Sequence, residues 1–96
     1  MKLRVHRQAD VDYEEAYEWY SRERHELAEV YSSAVAEAVE RMLETPERWP
    51  EIREGIRRCK TDTFPYGRVY QVRDDEVFLI SIMHLSRQPE FWQDRL

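Results

Sequence analysis

Residues 27–46 read LAEVYSSAVAEAVERMLETP. Leu27, Val30, Tyr31, Ala34, Val35, Ala38, Met42 and Leu43 recur at steps of three and four, the spacing of one helix face. This is the strongest periodic signal in the chain. Thr45-Pro46 closes it, because proline disfavours helical backbone in the residue before it. Upstream, Ala9, Tyr13, Ala16, Tyr17 and Tyr20 mark a second apolar stripe, with Asp10 and Asp12 placed in its first turn, where the helix dipole favours anions. Ser21 to His25 reads as the break between the two helices, and so short a break implies an antiparallel helical hairpin.

Near residue 55 the period changes from 3.6 to two. Ile56 to Thr61 and Val69 to Val72 alternate as strands do. Asp74-Asp75 reads as a tight hairpin turn. Val77-Phe78-Leu79-Ile80-Ser81-Ile82-Met83 is almost wholly apolar, as a strand buried on both faces requires. Before the helices, Lys2 to His6 alternates and forms a first short strand. Glu47 to Gly55 reads as a loop, and Arg87 to Leu96 as a tail with a short helix after Pro89. The expected order is β-α-α-β-β-β: an α+β fold, a helical hairpin packed on a mostly antiparallel sheet of three or four strands.

At 96 residues the chain fits one domain, residues 1–96. Its single cysteine, Cys59, rules out an internal disulfide and fits a reducing cytoplasm. No apolar run approaches the ~20 residues of a membrane span, and no apolar stretch follows Met1-Lys2-Leu3-Arg4, so no signal peptide is expected. The net charge is −5, and it is unevenly spread. Residues 1–50 hold seven basic and twelve acidic side chains, and residues 51–96 hold eight of each. An acidic chain is a poor general binder of phosphate backbones, although a local basic patch stays possible. The three histidines have no metal-ligand spacing, so neither a metal nor another cofactor is expected.

Four stretches, taken in order, resemble the RelE/ParE toxin superfamily, and its ParE-like, plasmid-stabilisation branch in particular. They are DYEEAYEWY at 12–20, LETPERWP at 43–50, FPYGRVYQV at 64–72 and ISIMHLSRQPEFWQDR at 80–95. The resemblance implies the toxin half of a bacterial type II toxin–antitoxin pair, neutralised by a cognate antitoxin. It also implies one of two activities: ParE-like inhibition of DNA gyrase, or RelE-like cleavage of messenger RNA on the ribosome. If the chain is an enzyme at all, it is an mRNA endoribonuclease.

RNA cleavage needs cations on the phosphate oxygens and groups that move protons. Ribonuclease members of the superfamily supply an arginine on the third strand, another after the fourth, and a tyrosine near the C-terminus. Counted without gaps from Val69–Val72 and Phe78–Ser81, those positions fall on Gly67, Leu85 and Phe91. Arg68 is one residue off, which in a strand means the opposite face. Arg58, Arg68, His84 and Arg87 are therefore weak catalytic candidates. The leading expectation is a chain that binds a protein target, gyrase by resemblance. The alternatives are an endoribonuclease with a displaced site, with the ribosome and messenger RNA as partners, and a non-toxic remnant that only binds its antitoxin.

Partner contacts fall elsewhere. Trp19 lies about 100° from Tyr20 on a helical wheel, off the apolar line. An exposed large aromatic on a small domain often marks a partner site. Trp92, flanked by Arg87 and Arg95, is a second candidate, and Arg95 a third.

Overall fold

A computed structural model describes residues 2–60, 64–84 and 95. The elements run β1 (Lys2–Val5), α1 (Arg7–Glu23), α2 (His25–Glu44), β2 (Glu51–Arg53), β3 (Ile56–Lys60), β4 (Tyr66–Arg73) and β5 (Glu76–His84). The strands form one five-stranded sheet in the order β1-β5-β4-β3-β2. Three pairings are antiparallel and β1 runs parallel to β5. None of the described helices is long and apolar enough to cross a membrane.

The sequence reading is extended at one point. The stretch read as a loop contains β2, whose three residues Glu51, Ile52 and Arg53 are too few to display alternation. Gly55, at φ 77°, turns β2 back onto β3 in the left-handed backbone region that glycine enters without steric cost. The break between the helices is shorter than read. Arg24 alone is extended, at φ −159° and ψ 131°, and serves both as the C-cap of α1 and the N-cap of α2. At the other end of α1, His6 Nδ1 accepts from the Gln8 N–H at 3.0 Å. Because the helix begins at Arg7, Asp12 lies beyond its first turn and the dipole argument applies to Asp10 instead. Asp74, at φ 52°, makes the β4–β5 turn, a conformation Asp tolerates better than most residues.

Both helices pack on one face of the sheet. Ala9, Ala28 and Ala38 are fully buried, and their small side chains let the helices approach closely. The helix-side core joins Tyr31, Val35 and Met42 to Cys59, Tyr70, Val77, Leu79 and Ile82. Tyr31 is its hub. Its ring lies 5.2–5.7 Å from those of Tyr13, Tyr20, Phe64 and Tyr66, and its hydroxyl donates to Tyr13 O. A smaller cluster of Ile56, Val69, Phe78 and Ile80 lies on the other face, so β5 is buried on both faces, as its apolar run demands. The loop after α2 is held from below: Tyr70 Oη donates to Pro46 O, and Arg57 Nη1 donates to Glu47 O and Trp49 O.

Register shifts once between β4 and β5. Val69 faces Ser81 while Tyr70 faces Leu79, so Ile80 is an extra residue on β5. A bulge of this kind bends its strand and re-aims the side chains beyond it. Here it brings Ser81 and the Ile82 amide towards α1.

Candidate functional site

One edge of α1 presents Gln8, Val11, Asp12, Glu15, Ala16 and Trp19, residues three or four apart and so on one face. Tyr66, Ile82 and His84 form the opposite wall, and Arg95 completes the lining among the described residues. The result is an open groove of about 400 Å³ between α1 and the ends of β4 and β5. Trp19 is 53% exposed and stands edge-on to Tyr20 at 5.1 Å. His84 is half-buried at the end of β5, edge-on to Tyr66 at 5.2 Å.

The groove is closed at one side by a clamp. Arg95 donates two bonds to the Asp12 carboxylate, Nη1 to Oδ2 at 2.6 Å and Nη2 to Oδ1 at 3.1 Å, the paired geometry in which guanidinium and carboxylate bind most strongly. Asp12 Oδ2 also accepts from Ser81 Oγ at 3.0 Å and from the Ile82 N–H at 3.2 Å. Arg95 Nη1 donates in addition to Ile80 O. The β5 bulge is what frees these groups for Asp12. The clamp ties residue 95 to α1 and to the central strand at once.

The candidate residues separate cleanly in space. Arg68 is fully buried on the helix side, with Nη2 3.4 Å from Cys59 Sγ, where it cannot meet a phosphate in solution. Gly67 faces the other side of the sheet, as does Arg58, which stands opposite Val69. Arg58 is thus a full sheet thickness from the groove and from His84. Trp19 and His84 lie on the groove. Arg95, a partner-binding candidate by sequence, has its guanidinium bonded to Asp12 and to Ile80 O. Arg87 and Trp92, and the counted positions Leu85 and Phe91, lie outside the described residues.

Asp12 and Ser81 were missed as a site. Arg95 is 83 residues from Asp12 in the chain, and no local pattern announces so distant a pair. A carboxylate one helical turn before the buried Ala16 was the available hint.

Three phenols of the helix-side core have raised pKa values. Burial, then Tyr66, raises Tyr20 above the ordinary phenol value. Burial, helped by Tyr66, Tyr13, Tyr20 and Asp12, raises Tyr31 further. Burial and Cys59 push Tyr70 up to about 12, against the lowering effect of Arg57 and Arg68. A general base works best with a pKa near the operating pH, and these three phenols move the other way. Among the described residues no group of three or more His, Cys, Asp or Glu is placed to hold a metal ion.

A family model described as "ParE toxin of type II toxin-antitoxin system, parDE" matches residues 3–89. The chain belongs to the ParE toxin family. A solved structure, "Chromosomal ParDE TA system from P. aeruginosa", shares the fold of this ParE-family chain at a TM-score of 0.66 and 21% identity, covering 88% of this chain and 95% of that one. No curated protein matches. The RelE/ParE resemblance and the α+β fold read from the sequence both agree with these findings.

Proposed function

We propose that this ParE-family chain is the toxin of a type II pair, that it disables DNA gyrase by binding, and that a cognate antitoxin neutralises it. The observation that carries the binding mechanism is the position of Arg68. The nearest cation to the superfamily's third-strand arginine is sealed beneath the helices. Gly67, at the counted position, has no side chain to offer a phosphate. Burial raises Tyr20 and Tyr31 above the ordinary phenol value, away from the range that suits a general base. Inhibition of purified gyrase is the decisive test. Codon-phased cuts in messenger RNA from expressing cells, lost on mutating His84 or Arg87, would replace this reading with the endoribonuclease one.

The antitoxin docks along α1, with Trp19 as an anchor, and extends towards the C-terminal aromatics. Trp19 supplies large apolar area at the groove's edge, and Val11, also exposed, continues it two turns away. The acidic flank, with Glu15 and Glu18, favours Lys or Arg on the bound tail. Such tails are disordered when free and gain affinity from a few buried anchors. Trp19→Ala should therefore weaken the complex by ~1–3 kcal/mol, the range of an interface hot spot, with the far-UV circular dichroism unchanged. Titration calorimetry against the product of the neighbouring antitoxin gene reads this directly. Equal affinity for mutant and wild type, or a mutant that unfolds, would remove Trp19 from the interface.

A further inference from the structure

Charge is divided between the two layers of this fold. The helices α1 and α2 carry eleven acidic and three basic side chains, while the five strands carry two acidic and eight basic ones. Arg57 and Arg68 point to the helix side, and Arg53 sits in the irregular edge pair with β3. The other five share the face turned away from the helices. Register settles this: Arg4 stands beside Phe78, Lys2 and Arg73 flank Glu76 from either side, and Arg58 stands beside Val69, with Lys60 two residues further along β3. The one strand carboxylate on this face, Glu76, lies 3.8 Å from Arg4. Among the described residues no carboxylate pairs with Arg58 or Lys60.

We propose that this sheet face binds the phosphodiester backbone of duplex DNA, without regard to sequence. Its chemistry selects that occupant over an acidic protein segment. A peptide needs pockets for apolar anchors, and Ile56, Val69, Phe78 and Ile80 are each no more than 6% exposed. Phe78 lies between the guanidiniums of Arg4 and Arg73, at 5.4 and 4.5 Å, which cover its ring against base stacking. What remains accessible is a set of long cationic side chains, the groups that track a phosphate backbone and carry no sequence information. Arg4 on β1 and Arg58 on β3 are three strand steps apart and two residues out of register, about 16 Å. That separation is enough to span the ~12 Å width of the major groove, whose edges are lined by phosphates. The acidic helices repel the same backbone, so the chain approaches DNA in one orientation only, and the binding is weak and steeply salt-dependent.

The test is fluorescence anisotropy of a labelled mixed-sequence DNA duplex titrated with the full chain at low and physiological salt, using wild type and R58E/K60E. Wild type should bind at low salt and lose affinity as salt rises. The double variant should bind at least ~10-fold more weakly, and its salt slope should fall by about two, close to one for each phosphate contact removed. Circular dichroism checks that it folds. Should it not, K60E and K2E, each altering an exposed side chain, carry the same test. No binding by wild type at low salt, equal binding by the variants, or preference for polyglutamate over the duplex would overturn the proposal.

Discussion

Tyr31→Ala is expected to destabilise the chain by about 3–5 kcal/mol, the usual cost of deleting a buried aromatic ring. Tyr31 is completely buried on α2, and four other rings converge on it from α1, β4 and the segment before β4. Alanine there leaves a cavity that none of them can fill, since each is anchored on a different part of the backbone. A domain of this size has only ~5–15 kcal/mol of total stability, so the mutant should lie close to its unfolding threshold. Tyr31→Phe separates ring from hydroxyl. It removes only the bond to Tyr13 O, 3.3 Å long, and should cost about 1 kcal/mol. Urea unfolding of the three proteins measures both steps. A loss below about 1 kcal/mol for alanine would mean that the rings do not form one packed unit.

Asp12→Ala should cost about 2–4 kcal/mol. Breaking a buried ion pair strands the remaining charge, which typically costs about 3–5 kcal/mol. The lower range applies because the side chains of Arg95 and Asp12 are still 12% and 15% exposed. The mutation also deprives Ser81 Oγ and the Ile82 N–H of their acceptor. Arg95→Met should be destabilising too, and the double mutant should cost clearly less than the two single losses added together. Simple additivity would show that the clamp is not a coupled unit. Asp12→Ala should also loosen the α1 side of the groove, so its antitoxin affinity is best compared with that of Trp19→Ala under strongly native conditions.

These two sites differ in how far the sequence reveals them. Tyr31 belongs to the stripe from Leu27 to Leu43, and its burial follows from helical periodicity alone. The central position of β5 follows equally from the unbroken apolar run at 77–83, and the Asp74-Asp75 turn from its local chemistry. Trp19 stands out because it breaks the pattern of its own helix, and the structure leaves it exposed. β2 escaped because three residues cannot show a period. The parallel pairing of β1 with β5 escaped because strand order depends on how the helices return the chain, and no residue in Lys2–Val5 encodes it. The clamp was hidden for a related reason. Asp12, Ser81 and Arg95 each look ordinary locally, and only the Ile80 bulge brings them together. The division of charge between helices and strands was partly legible as an acidic first half and a neutral second half, but the shared face of the cations needed the register.

The central claim is that this ParE-family chain works by binding gyrase and performs no chemistry of its own. It is tested most directly by supercoiling of relaxed plasmid with purified gyrase and ATP while the chain is titrated in. Supercoiled product should disappear as the chain approaches and exceeds the enzyme, and return when the cognate antitoxin is added. Full supercoiling at every concentration of folded chain would contradict the account.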